Sequence, residues 1–61
     1  MNNIGIRYQV KKSGTDNWVE VSEKFVMETL ADRFDTLTPV LSKIIKGEQI
    51  ITPHEIFRRI N

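Results

Sequence analysis

Residues 4–21 decide the N-terminal half of the fold and read IGIRYQVKKSGTDNWVEV. Apolar residues occupy every second position at the start of this stretch, and that period of two predicts a strand with one buried face, formed by Ile4, Ile6, Tyr8 and Val10. Residues 12–17 are turn formers, and residues 18–21 return to β-branched and aromatic types. The stretch therefore predicts a two-stranded antiparallel hairpin.

Three helix start signals follow the hairpin. Ser22 is placed as the N-cap of a helix that runs through Phe34. Thr38 supplies a capping hydroxyl and Pro39 the first helical position of a second helix of about two turns, which a left-handed Gly47 closes. The strongest signal is the third, Thr52-Pro53-His54-Glu55, which combines a capping hydroxyl, a proline and a capping-box glutamate. A third helix is predicted over residues 52–60.

The predicted fold class is α+β, with the hairpin at 4–21 and three short helices at 22–60 in a single domain of 61 residues. A chain of this length buries only about 60% of its unfolded surface, so its stability is marginal. Cysteine is absent, which excludes disulfides. We therefore expect stability to come from helix packing or from a partner subunit, and pairing at the free edge of the hairpin would give a homodimer.

Composition narrows the function classes. Apolar residues make up 39% and charged residues 28% of the sequence, with no apolar run near the ~18 residues of a membrane span and no basic leader, so a cytoplasmic protein with no membrane association is expected. The sequence has no cysteine and a single histidine, His54, and it lacks a Gly-rich phosphate loop. We therefore expect no metal, no cofactor and no catalytic residue; the protein is predicted not to be an enzyme.

The net charge of +1 conceals a segregation along the chain. Residues 1–19 carry three basic residues and one acid, residues 20–36 carry two and five, and residues 38–61 carry four and two. Basic ends therefore flank an acidic first helix. This distribution is compatible with nucleic-acid binding, although few phosphates would be neutralised and binding would depend strongly on salt.

A family resemblance is carried by residues 30–60, about half of the chain. The segment Leu30-Ala31-Asp32-Arg33-Phe34, the helix from Thr38 to Gly47 and the start at Thr52-Pro53 together resemble the helix-turn-helix core of the Cro/repressor-like (XRE-type) DNA-binding family, which includes the antitoxin repressors of toxin–antitoxin pairs. The hairpin stands where that family has its first helix. In this chain the helix that starts at Ser22 would pack Leu30, Ala31 and Phe34 against the helix that starts at Thr38. The facing residues there would be Leu41, Ile44 and Ile45.

The resemblance implies a small DNA-binding transcriptional regulator, or repressor, that reads the major groove of double-stranded DNA with the helix after Thr38. The residues that it would present to DNA are Thr38, Pro39, Val40, Ser42, Lys43 and Lys46. Lys43 is the strongest candidate for a base or phosphate contact, and Lys46 is placed near a phosphate.

Two other functions fit the same residues. A protein-binding module or inhibitor of the phage or mobile-element type would use the helix-turn-helix-like core to recognise a host protein, and apolar Val40 at the would-be reading surface favours it. A ribbon-helix-helix regulator would instead insert the strand that carries Arg7, Gln9 and Lys11 into the groove. Trp18 is interpreted as covering one end of a small core, with an exposed partner anchor as the alternative.

Overall fold

A computed structural model describes residues 6–60 of the chain. Two strands come first, β1 (Tyr8–Lys12) and β2 (Val19–Val21), and two helices follow, α1 (Glu23–Arg33) and α2 (Thr38–Ile45). The chain ends in a second pair of strands, β3 (Ile50–Ile51) and β4 (Glu55–Arg59). The fold is therefore α+β, as predicted, with two helices and a four-stranded sheet in the described part.

The sheet is antiparallel throughout and has the strand order β2-β1-β4-β3. The predicted hairpin of β1 and β2 is present, with Tyr8 opposite Val21 and Val10 opposite Val19. Residues Ile4 and Gly5 of the predicted strand lie outside the described residues. Because β4 pairs with β1 along its whole length, β1 is an interior strand, and the outer edges of the sheet belong to β2 and β3.

The core lies between the two helices and one face of the sheet. Val26 and Leu30 of α1, together with Ile44 of α2, pack with side chains that alternate onto that face, namely Tyr8, Ile50 and Phe57. Register places Tyr8, Val10 and Val19 on the same face as Phe57, since cross-strand partners share a side of the sheet. Both helices therefore cover one face of the sheet, which we call the helix-covered face.

The prediction of a third helix at residues 52–60 is wrong, because this segment forms a turn and strand β4. The Thr52 hydroxyl does accept the backbone N–H of Glu55 at 2.9 Å, as a capping residue would, but the Thr52 N–H also donates to the Glu55 carbonyl at 2.9 Å and closes a tight β3–β4 turn. The same local chemistry serves a helix start and a hairpin turn. Pairing with β1 then fixes the extended conformation.

The other helix signals are confirmed in part. Ser22 is the N-cap of α1 and accepts the Phe25 N–H at 3.1 Å. Gly47 has φ +97° and follows α2, where the Gly47 and Glu48 N–H groups donate to the carbonyls of Ile44 and Lys43 in a Schellman pattern. Thr38 is the first residue of α2 rather than its cap; Leu37 occupies the N-cap position without a side-chain bond.

The predicted packing between the helices is only partly correct. Leu30, Phe34, Leu41 and Ile44 all join the core or pack against it, whereas Ala31 and Ile45 are exposed. Ala31 therefore does not mark a close crossing of two helices. A hairpin of β3 and β4 follows α2, so the third helix expected for the helix-turn-helix-like part is not formed in the described residues.

Candidate functional site

The face of the sheet opposite the helices is uncovered within the described residues. Alternation along the strands and their register place on it Gln9 and Lys11 of β1, Glu20 of β2, Ile51 of β3, and Ile56 and Arg58 of β4. Arg7 and Trp18 precede strands β1 and β2 and continue the same alternation. We call this surface the open sheet face. It carries three cations, Arg7, Lys11 and Arg58, against one carboxylate, Glu20.

Two of these side chains, Arg58 and Lys11, lie against the ring of Trp18. The Arg58 guanidinium carbon lies 3.9 Å from the centroid of the Trp18 ring, and the Lys11 ammonium lies 5.2 Å from it. Both distances are within the range of cation–π attraction, which is worth about 0.5–2 kcal/mol depending on desolvation. The cluster forms because Trp18 lies beside Lys11 across the hairpin while Arg58 extends over β1 from the neighbouring strand. We call these three residues the Trp18 cluster.

Gln9 orients the guanidinium in this cluster. Its side-chain oxygen accepts from Arg58 Nε at 2.9 Å and from Arg58 Nη2 at 2.6 Å. Gln9 and Trp18 are both uncharged, so these contacts hold Arg58 in place without neutralising its positive charge. Lys11 lies 3.8 Å from Asp16, whose side chain is fully exposed, and such a pair is weak in water. The Trp18 cluster therefore presents a fixed positive charge beside an aromatic ring.

Arg7 is paired differently. Its Nε and Nη2 atoms donate to the two carboxylate oxygens of Glu20 at 2.9 and 2.7 Å, a bidentate geometry. The hydrogen bond from Arg7 lowers the pKa of Glu20, and the same bond raises the pKa of Arg7. Both side chains are about half exposed, so the pair contributes little to stability. It does partly offset the charge at this end of the open sheet face.

The residues predicted for DNA contact lie elsewhere, on α2 and at Lys46, which directly follows it. Thr38, Pro39, Ser42, Lys43 and Lys46 are exposed, as a recognition helix requires. Val40 is half-buried and packs against the core, so most of its side chain is turned away from solvent. It also lines a shallow depression next to Lys43 and Glu48, and an acidic residue at that position opposes contact with phosphate.

The structure does not gather the other C-terminal cations around Val40. Arg58 lies on the opposite side of the sheet, in the Trp18 cluster. Arg59 points to the helix-covered face and donates to the carbonyl of Ile45 at the end of α2. The basic residues of the C-terminal segment are therefore divided between the two sides of the molecule.

Sequence reasoning identified part of the open sheet face. The alternation in residues 4–11 predicts a polar face of Arg7, Gln9 and Lys11, which the structure confirms. It missed Arg58, because the segment of Arg58 was predicted to be a helix. Trp18 is half-buried, but it lies on the open sheet face among cations rather than at one end of the core.

Within residues 6–60 no three His, Cys, Asp or Glu side chains converge in a way that would hold a metal ion. No helix in that range is long and apolar enough to cross a membrane. His54 is exposed in the β3–β4 turn, where its carbonyl accepts the Ser13 N–H at 3.1 Å.

Comparison with known proteins gave no relative: a scan against protein-family models, a search of curated proteins and a search of solved structures each returned no match.

Proposed function

We propose that this protein is a small nucleic-acid-binding domain that uses the open sheet face to bind a single strand. The observation that carries the proposal is the Trp18 cluster, in which an indole ring and two cations lie together on an uncovered sheet. Single-stranded nucleic acids bind to surfaces that combine aromatic or guanidinium planes, on which bases stack, with cations that follow the phosphates. The Trp18 cluster supplies both.

The width of the sheet favours a single strand over a duplex. Four strands spaced ~4.8 Å apart span about 14 Å before side chains are added, whereas the major groove of B-DNA is about 12 Å wide. A two-stranded ribbon enters such a groove, but β1 is flanked on both sides and cannot enter as a ribbon. A flat sheet can instead receive bases that are already unstacked.

The polar groups of the open sheet face suggest how it holds a nucleic-acid strand. Arg58 and Lys11 are placed to contact phosphate, since neither is held by a buried carboxylate. The amide oxygen of Gln9 is used by Arg58, which leaves its amide nitrogen, with two N–H donors, available to a base edge or phosphate. The open sheet face carries about three cations. A plot of the logarithm of affinity against the logarithm of salt concentration should therefore have a slope of about −2.

A second candidate is duplex DNA binding by α2, the regulator or repressor role that the sequence predicts. The observation that favours it is the exposure of Thr38, Ser42 and Lys43 on one short helix, with exposed Lys46 directly after it. Against it stand the half-buried Val40 and the nearby Glu48. The two candidates use opposite sides of the molecule, so separate substitutions can distinguish them.

The experiment compares two double variants that remove the same charge. Lys11→Gln with Arg58→Gln alters the open sheet face, and Lys43→Gln with Lys46→Gln alters α2. Binding to labelled single-stranded and duplex DNA of mixed sequence is measured by fluorescence anisotropy over a salt series.

We expect single strands to bind more tightly than duplex. The sheet variant should lose about tenfold or more in affinity, because it removes two phosphate-contacting cations and the guanidinium plane on which a base can stack, while the α2 variant stays near wild type. The reverse pattern, with duplex preferred and only the α2 variant impaired, supports the second candidate. No binding of either DNA at low salt, with protein capture through the same face, would instead favour the protein-binding alternative.

A further inference from the structure

A cavity of about 400 Å³ lies on the helix-covered face of the sheet, beside the β1–β2 loop. Its apolar walls are Val10 of β1, Val19 of β2 and Phe25 of α1. Val19 is 51% exposed and Phe25 is 45% exposed, so two large apolar side chains meet solvent at the same place. The volume is within the roughly 300–1,000 Å³ of ligand-binding clefts.

A cation without a carboxylate partner stands at this cavity. Register places Lys12 opposite Glu55, and both residues line the cavity. The Glu55 carboxylate is already bound, by Arg33 at 3.1 Å through each oxygen and by the Thr52 hydroxyl at 2.5 Å. Lys12 therefore has no ion-pair partner within the described residues. An anionic group that enters beside the apolar walls would find complementary charge there.

The neighbouring strand β2 is an edge of the sheet. Its outward backbone N–H and C=O groups face no other strand in the part of the chain that the structure describes. An exposed edge accepts an extended segment by strand addition, in which main-chain hydrogen bonds give affinity and side-chain cavities give specificity. A residue placed opposite Val19 in such an added strand points to the helix-covered face, next to the cavity.

We propose that the β2 edge and this cavity together bind an extended segment of a partner protein. The segment carries an apolar residue opposite Val19 and, two positions along, a carboxylate opposite Asn17. β2 begins at Val19, which pairs with Val10, and continuing that register two residues into the β1–β2 loop would set Asn17 opposite Lys12. The apolar walls of the cavity lie on the opposite side of the sheet from Trp18 and Arg58, although Lys11 of the Trp18 cluster also lines the cavity. This proposal rests on those walls, on Lys12 and on the β2 edge, so it does not depend on nucleic-acid binding.

A second copy of the chain is a poorer occupant than a different protein. Two β2 strands paired antiparallel about their centre would place the Glu20 carboxylate of each copy directly opposite that of the other. Like charges at directly opposed positions destabilise an antiparallel pair. A partner segment of different sequence avoids this repulsion and can supply the carboxylate that Lys12 lacks.

The test uses a short blocked peptide of alternating threonines with isoleucine at its centre and glutamate two residues later. Binding to the full chain is followed by backbone amide chemical shifts and hydrogen exchange. We expect shifts and slowed exchange at Val19–Val21, and an affinity loss of about tenfold or more when serine replaces the isoleucine of the peptide. Phe25→Ala, a change at an exposed wall of the cavity, should weaken the same peptide.

A charge exchange tests the role of Lys12. Lys12→Glu should weaken the glutamate peptide by about two- to fivefold and favour a peptide with lysine at that position, whereas Lys24→Glu, an exposed control on α1, should do neither. Equal affinity for both peptides in all variants overturns the proposal. Binding of hexanoate in the cavity with no change at the β2 amides, or concentration-dependent dimerisation through β2 without peptide binding, overturns it as well.

Discussion

Phe57→Ala is the substitution that tests the packing of the fold most severely. Phe57 lies on β4 with an exposed fraction of 0%, and it is the largest fully buried side chain of the core. Truncating a buried phenylalanine costs about 3–5 kcal/mol, because apolar burial is lost and a cavity remains. A domain of 61 residues has a total stability of roughly 3–9 kcal/mol at ordinary values per residue. The variant should therefore be close to unfolded at room temperature.

The matched control is Phe25→Ala, the same chemical change at a side chain that is 45% exposed. We expect it to cost at most about 1 kcal/mol, since much of that ring already contacts water. Phe57→Leu, which retains most of the volume, should cost less than about 1.5 kcal/mol and keep the comparison measurable if Phe57→Ala does not fold.

Urea unfolding followed by far-UV circular dichroism gives the three free energies. Equal losses for Phe57→Ala and Phe25→Ala, or a loss below about 1 kcal/mol for Phe57→Ala, would refute the placement of Phe57 at the centre of the core.

Three further predictions concern the connections between elements. Thr52→Val should lower the free energy of unfolding in urea by about 1–3 kcal/mol, because the buried hydroxyl accepts the N–H groups of two turn residues. The control Thr36→Val, at an exposed site, should leave that free energy nearly unchanged. Gly47→Ala should cost about 1 kcal/mol, since only glycine adopts φ +97° without strain, and a melting temperature equal to wild type would contradict that reading. Arg33 lowers the pKa of Glu55, so the free energy of unfolding contributed by this pair is present above the ordinary glutamate pKa and is lost as pH falls through the folded-state pKa. Thermal melts between neutral pH and about pH 3 should show a steeper loss for wild type than for Glu55→Gln; identical pH profiles would contradict the role of the pair.

The sequence was a reliable guide wherever the structure depends on neighbours along the chain. Ser22 caps α1 through a bond to a residue three positions later, and Gly47 closes α2 through bonds within its last turn. Both signals are local, and the structure confirms both predicted caps. The alternation in β1 also depends only on adjacent residues, and it predicted the polar face of Arg7, Gln9 and Lys11.

The segment after Thr52 shows where local reading fails. Its threonine, proline and glutamate suit a helix start, but the same threonine hydroxyl stabilises a tight turn. The extended conformation of residues 55–59 is decided by pairing with β1, which lies more than forty residues earlier in the chain. A long-range contact of this kind has no local signature.

The candidate site also depends on a contact between residues that are distant in the sequence. Lys11 and Trp18 are brought together by the hairpin, which the sequence predicted. Arg58 joins them only because β4 lies beside β1 and its side chain reaches across that strand. A helix over residues 52–60 does not bring Arg58 to Trp18, so the Trp18 cluster does not follow from the sequence, which points instead to Lys43 and Lys46.

Trp18 is the single tryptophan of the sequence, so its emission reports directly on the proposed binding of single-stranded nucleic acid at the Trp18 cluster. Titration of the protein at low salt with single-stranded DNA of mixed sequence should quench Trp18 fluorescence to a plateau, as a base stacks at the cluster. Added salt should reverse the effect. The opposite result is a folded protein whose Trp18 emission stays unchanged at DNA concentrations that saturate ordinary non-specific binding. That result would contradict single-strand binding at the Trp18 cluster.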